Sequence, residues 1–122
     1  MNEGILWVEF PGMSLPVAPI HENRPKMPHV TLAYGVSAEQ YADFIGRQVP
    51  IMLTGVAHSE RVQAVAVELP EGIPFAGNHL PHITVSFADG VKPVEAGAFL
   101  ASAEIKPLQF QIVGEIAFFA WK

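Results

Sequence analysis

The sequence contains no cysteine. Disulfide bonds, zinc–thiolate sites and a cysteine nucleophile are therefore excluded. It also lacks any run of about 18 apolar residues, so we expect no membrane-spanning segment. Met1–Gly12 has no basic flank of the kind that begins a secretory signal. These absences favour a cytoplasmic protein that does not associate with a membrane.

Basic residues are scarce as well. Seven Lys and Arg stand against twelve Asp and Glu, which gives a formal net charge of −5. A protein that follows long duplex nucleic acid usually displays a basic stripe, and the few basic residues here are scattered. The expected partner is therefore a small nucleotide, a short oligonucleotide or an RNA end rather than a long duplex. We expect a monomer.

The chain has ample apolar material and repeats itself. Half of its 122 residues are hydrophobic, which suits one domain with a sizeable core. In the first half, Val8-Glu9-Phe10-Pro11 precedes Pro28-His29-Val30-Thr31-Leu32; in the second, Val67-Glu68-Leu69-Pro70 precedes Pro81-His82-Ile83-Thr84-Val85. The shared order predicts a single domain, 1–122, made of two internal repeats at about 5–57 and 61–121.

Similar elements follow each motif. Ser37-Ala38-Glu39-Gln40 is a capping box that predicts a helix, and Lys92-Pro93 predicts a shorter one. Gly114-Glu115 is interpreted as a turn. The remaining strands are predicted at Pro50–Ala57, Arg61–Leu69, Pro107–Val113 and Ile116–Trp121. This order predicts an α+β fold of two pseudo-symmetric lobes of antiparallel sheet, with outer helices and a central cleft.

The two His-x-Thr motifs carry the chemistry. By strand alternation His29 shares a face with Thr31, and His82 with Thr84 and Ser86. One neutral imidazole can take a proton from water while the other, charged, protonates a leaving oxygen. Threonine hydroxyls can donate to the phosphate oxygens as negative charge builds. With five His and three Thr in the chain, chance predicts only about 0.12 such motifs, so the duplicated pair is a strong signal.

Other residues are weaker candidates. Lys26, Ser86 and Lys92 are predicted substrate contacts, and His79 and Arg24 are weaker ones. Glu9 and Glu68, equivalent in the repeat, either orient an imidazole or are ordinary surface carboxylates. Tyr34, Phe87, Trp7 and Trp121 are predicted core residues, with the alternative that an exposed tryptophan stacks a base of the substrate. No metal or cofactor is expected, because a catalytic zinc usually has three protein ligands and two histidines are an incomplete set.

These tetrads, His29-Val30-Thr31-Leu32 and His82-Ile83-Thr84-Val85, resemble the signature of the 2H phosphoesterases. The stretch from His82 to Ala96 is most similar to the cyclic phosphodiesterase branch associated with RNA ligases and their phage relatives. The resemblance implies a bilobed fold and cleavage of 2′,3′-cyclic phosphates, as in RNA repair, or of related 2′-5′ and cyclic oligonucleotide bonds. It also implies that His82 is the base and His29 the acid.

Two further hypotheses remain open. The same chemistry would suit a phage-type nuclease that degrades cyclic di- or trinucleotide signalling molecules. The chain could instead be a non-catalytic nucleotide-binding module that keeps the motif, although two intact tetrads argue against this.

Overall fold

The computed structural model of the chain describes residues 3–10, 15–25, 27–77, 80–92 and 95–120. Strands make up about half of these residues. In chain order they are β1 (Glu3–Glu9), β2 (His29–Ser37), β3 (Gln48–His58), β4 (Val62–Glu68), β5 (His82–Phe87) and β6 (Lys106–Ala120). A 3₁₀ turn at Ala38–Tyr41 and the helix α1, Glu95–Leu100, complete the regular structure of the described residues.

The six strands form a closed antiparallel barrel in the order β1-β2-β5-β4-β3-β6. The long strand β6 closes the ring, since residues 106–115 pair with β3 and residues 115–120 pair with β1. Exchanging β1, β2 and β3 for β4, β5 and β6 leaves this order unchanged. The topology therefore has the symmetry that two repeats would give, while the repeat boundaries themselves stay a prediction.

The predicted α+β bilobed fold with a central cleft and outer helices is wrong. Gly114-Glu115 is not a turn, because β6 continues through both residues and joins the two halves in one sheet. The interior of the ring is filled by apolar side chains instead of a cleft. The fully buried ones with the largest volumes include Phe10, Leu6, Leu32, Ile51, Leu53, Ile83 and Ile116.

The predicted first helix is only one 3₁₀ turn. Its start is as expected, because the Ser37 N–H donates a hydrogen bond to Gln40 Oε1 at 2.8 Å. The chain must then reach β3 within a few residues, and it turns at Gly46, where φ is +96°. A longer helix does not fit in this connection. The second helix, α1, is six residues long and packs Ala96 and Leu100 with Ala64 of β4; Pro93 lies outside the described residues.

The absence of a side chain at Gly114 allows β6 to lie close to Val8 and Phe10 at the end of β1. A Cβ added there would lie 2.5 Å from side-chain atoms of Val8 and Phe10, and 2.8 Å from the Glu9 carbonyl oxygen. We therefore expect Gly114→Ala to lower the free energy of unfolding by about 1–3 kcal/mol, the usual cost of overpacking. Urea denaturation measures it, with the exposed neighbour substitution Glu115→Ala as control. Equal stability of the two variants would contradict this close packing.

No helix within the described ranges is both long enough and apolar enough to cross a lipid bilayer.

Candidate active site

The two His-x-Thr strands are neighbours in the barrel. Val30 of β2 pairs with Ile83 of β5, and both side chains are fully buried in the core. Successive side chains of a strand point to opposite faces, so the residues flanking this pair lie on the outer face of the sheet. These are His29, Thr31, His82 and Thr84, all of them partly exposed. We call them the motif quartet.

The pairing of Val30 with Ile83 sets the arrangement of the quartet. In an antiparallel register it places His29 beside Thr84 and Thr31 beside His82. The two histidines are then diagonal neighbours, and such neighbours in an antiparallel sheet are typically about 7–8 Å apart. His82 also acts electrostatically to lower the pKa of His29, which is consistent with this proximity. The motifs thus meet side by side on one sheet, and not across a cleft between two lobes as the sequence suggested.

Each imidazole is anchored in the same way. His29 Nδ1 lies 2.8 Å from the Met27 carbonyl oxygen, and His82 Nδ1 lies 2.8 Å from the Leu80 carbonyl oxygen. In both cases the carbonyl belongs to the residue before a proline, Pro28 or Pro81. A carbonyl partner requires the Nδ1–H form of neutral imidazole, which leaves the lone pair on Nε2. Both rings are therefore held with Nε2 as the nitrogen that exchanges protons.

The surroundings of His29 include an aromatic stack. The Trp7 ring lies 4.1 Å from the His29 ring between centroids, tilted by 32°, and Phe119 stacks near the Trp7 ring at 5.3 Å. The Trp7 indole N–H donates to Glu9 Oε1 at 3.0 Å. Trp7 is half-buried against the motif quartet, so its prediction as a core residue is wrong. Sequence analysis missed this contact, although alternation along β1 puts Trp7 and Glu9 on one face.

Burial lowers the pKa of His29 below its ordinary value, and this is the largest influence on it. The Met27 carbonyl raises the pKa, the nearby His82 lowers it, and the Glu9 carboxylate raises it. The net direction is downward, so His29 favours the neutral form at pH 7. A neutral imidazole with its lone pair on Nε2 is chemically suited to accept a proton.

This pKa shift makes stability depend on pH. Below an ordinary histidine pKa of about 6.5, the unfolded chain takes up a proton that folded His29 resists. The free energy of unfolding should therefore fall as the pH drops from 7, by no more than about 1.4 kcal/mol per pH unit for this group. Urea denaturation at pH 7.5 and 5.5 should show a smaller fall in His29→Gln. An identical fall in both proteins would refute this origin.

A cavity lies beside Thr84 of the quartet. Asn23 and Phe87 exchange backbone hydrogen bonds of 3.2 and 2.9 Å, and the next pairing is that of Val30 with Ile83. Six residues of the first segment, 24–29, but only three residues of β5 stand between these two pairings in sequence. The cavity has a volume of about 710 Å³. Its lining includes Pro19, Glu22, Arg24, Pro25, Pro28 and Thr84.

Ser86 has a structural role in fixing the loop that contains residues 18–21. It is fully buried, and its hydroxyl donates to Gln63 Oε1 at 2.6 Å and accepts from the His21 N–H at 3.2 Å. Gln63 also accepts from the Ile20 N–H and donates to the Ala18 carbonyl. The predicted contact of Ser86 with substrate is therefore not supported, because its hydroxyl is enclosed and already bonded.

A β-bulge explains why Ser86 is turned inward. Ala64 pairs with Thr84 and Gln63 pairs with Ser86, so β5 has one extra residue and strict alternation ends there. A matching irregularity follows Thr31, where Trp7 pairs with Thr31 and Leu6 with Ala33. It places Tyr34 on the surface, 73% exposed, so its prediction as a core residue is wrong.

The other predicted contacts are spread over the molecule. Lys92 is exposed and lies beside Glu95 at α1, beyond the end of β5 that is distant from His82. Lys26, His79 and Trp121 lie outside the described residues. Glu68 is exposed, and it is Ala66 rather than Glu68 that pairs with His82. Of the predicted catalytic and substrate-contact residues that the structure describes, the motif quartet, Glu9 and Arg24 therefore lie at or beside the candidate site.

Comparisons with protein-family models and with curated proteins give no match to this chain. Within the described residues, no group of three or more His, Cys, Asp or Glu side chains is arranged to hold a metal ion. The interpretation of the site therefore depends on its geometry.

Proposed function

We propose that this protein is a metal-independent 2H-type phosphodiesterase that hydrolyses a 2′,3′-cyclic phosphate, either on a nucleotide or at an RNA end. One observation carries the proposal: two His-x-Thr motifs from distant parts of the chain lie side by side on neighbouring strands. Their histidines are anchored through Nδ1 by equivalent carbonyls. A purely structural role would not require the same anchor twice at one place.

The chemistry follows from the motif quartet. A phosphate seated between His29 and His82 meets two Nε2 atoms, one that takes a proton from the attacking water and one that gives a proton to the leaving oxygen. Thr31 and Thr84 donate hydrogen bonds to the non-bridging oxygens as their charge increases. The quartet supplies acid, base and charge stabilisation, so the proposed reaction proceeds without a metal ion.

The cavity beside Thr84 supports a nucleotide-sized substrate. Its volume of about 710 Å³ lies within the range of about 300–1,000 Å³ that is usual for small-molecule sites. Arg24 lines this cavity and provides a cation for a second phosphate or for the phosphate of an RNA end. We place the enzyme in the cytoplasm, a proposal compatible with its lack of cysteine.

A substrate panel in the presence of EDTA tests the proposal. The panel contains 2′,3′-cyclic mononucleotides, an RNA with a cyclic-phosphate end, and 2′-5′ and 3′-5′ cyclic dinucleotides. We expect turnover of a 2′,3′-cyclic phosphate that EDTA does not abolish. Turnover of cyclic dinucleotides alone would identify the signalling-molecule nuclease instead. Binding without turnover would identify a nucleotide-binding module, and activity that returns only with added zinc or manganese would contradict the metal-independent scheme.

A further inference from the structure

Two buried polar side chains of the barrel take no part in the proposed chemistry. Gln63 of β4 and Ser86 of β5 are 3% and 0% exposed, and they pair in the register of the strands. The Ser86 hydroxyl donates a hydrogen bond to Gln63 Oε1 at 2.6 Å. Burial of an amide costs free energy unless the amide is hydrogen-bonded, so the other partners of Gln63 show what this residue holds in place.

Those partners are backbone groups of an exposed loop. Gln63 Oε1 accepts from the Ile20 N–H at 3.0 Å, and Gln63 Nε2 donates to the Ala18 carbonyl oxygen at 2.9 Å. A backbone N–H only donates and a carbonyl only accepts, so these two bonds fix the orientation of the amide. The Ser86 hydroxyl accepts from the His21 N–H at 3.2 Å. The buried pair thus holds one short stretch, residues 18–21, which we call the wall segment.

The wall segment forms part of the cavity beside the motif quartet. Ala18 and Pro19 line this cavity together with Thr84. Ala18, Pro19 and Ile20 are exposed, so burial of their own side chains does little to hold them. Gln63 binds the residue before Pro19 and the residue after it. The position of this side of the cavity therefore depends on a side chain that lies inside the barrel.

We propose that Gln63 is a positioning residue for substrate binding, because it fixes the wall segment of the cavity that receives the nucleoside part of the substrate. This inference rests on the proposed function, in which the phosphate lies in the motif quartet. The Gln63 amide is enclosed and already bonded, so it acts through the wall segment. A loop that is ordered in advance spares the ligand the entropy cost of ordering it on binding.

Gln63→Met tests the inference, because methionine has a similar volume but cannot form these hydrogen bonds. Water can replace the amide at Ala18 and Ile20, and His21 Nε2 still lies 2.9 Å from the Ser59 carbonyl oxygen, so we expect the fold to persist. KM for a 2′,3′-cyclic mononucleotide should rise about tenfold, the equivalent of about one ordinary hydrogen bond, with kcat nearly unchanged. Glycerol 1,2-cyclic phosphate has the reacting group but no nucleoside, so both of its constants should stay the same.

Thr54→Val is the control, because it removes a hydrogen bond at another place in the sheet. It should leave KM for both substrates unchanged. If Gln63→Met does not fold, the double variant Gln63→Met/Ser86→Ala replaces it, since exchanging both partners for apolar groups leaves no unpaired hydroxyl. An equal loss with both substrates, or a fall in kcat at constant KM, would overturn the inference and leave Gln63 with a structural role alone.

A binding measurement separates this inference from the proposed function. If the wild type hydrolyses neither substrate, the proposed function fails. Calorimetric titration of the wild type and Gln63→Met with a nucleoside 2′-monophosphate then tests the cavity by itself. Weaker binding by the variant would support the role of Gln63. Equal binding by both proteins, or no binding by either, would overturn it.

Discussion

Replacing His29 or His82 with alanine is expected to lower kcat/KM for the cyclic phosphate by about 10²–10⁴-fold, the usual contribution of a general acid or base. Both rings lie on the outer face of the sheet and are only partly buried, so the core of the barrel does not depend on them. The loss should therefore be one of rate, with the fold retained. Turnover measured beside a thermal melt separates the two effects.

The matched control for these variants is His58→Ala. His58 is exposed at the end of β3, where it pairs with Gln63 of β4, away from the motif quartet. Its removal should leave both turnover and melting temperature almost unchanged. A wild-type rate in folded His29→Ala or His82→Ala would refute the catalytic assignment of that histidine.

Replacing Thr31 or Thr84 with valine should lower kcat by about 10²–10³-fold if each hydroxyl stabilises charge in the transition state. Valine keeps the shape and the strand preference of threonine but cannot donate a hydrogen bond. Because the interaction strengthens as charge builds on the phosphate, kcat should change more than KM. Thr→Ser at each position retains the hydroxyl and should recover most of the rate.

Thr54→Val is the control for the threonine variants. The Thr54 hydroxyl donates to the Ala66 carbonyl oxygen at 3.2 Å, so this substitution also removes a hydrogen bond but at a position on β3. It should reduce stability slightly without reducing kcat. Unchanged turnover in both Thr31→Val and Thr84→Val would make these threonines ordinary strand residues.

The local features of the fold were largely readable from the sequence. The strand predicted at Pro50–Ala57 is the central part of β3, and the one predicted at Arg61–Leu69 contains β4. The motif alternation also holds as far as Thr31 and Thr84, because Val30 and Ile83 are the buried residues between them. Period-two patterns report which face of a strand is buried, and that information is local.

The closure of the six strands into a barrel could not be predicted from such local patterns. Whether β6 ends at Gly114 or continues depends on Val8 and Phe10, which are distant in sequence and lie where a side chain on Gly114 would be. In a sequence, a glycine beside a glutamate ordinarily indicates a turn. Here the glycine instead lies within a strand, at a point where another strand approaches closely. Pairing between β1 and β6 then converts two expected lobes into one ring.

The residues that surround the site could not be predicted from the sequence, for related reasons. Trp7 was expected in the core because large aromatic residues are usually buried, and no local pattern indicated that β1 would lie beside the first motif strand. The bulge after Thr31 moved Tyr34 outward, and the bulge after Thr84 accompanies the inward position of Ser86. An extra residue in a strand changes the face of the residues that follow it, and the sequence carries no marker for it.

The most direct test of the central claim is ³¹P NMR of 2′,3′-cyclic nucleotide hydrolysis in EDTA, with wild-type protein and the double variant His29→Ala/His82→Ala side by side. The proposed phosphodiesterase activity requires that the wild type converts the cyclic phosphate signal into that of a phosphomonoester. The folded double variant should leave it unchanged. Equal conversion by both proteins, or none by the folded wild type, would contradict the claim that these two histidines form a phosphodiesterase site.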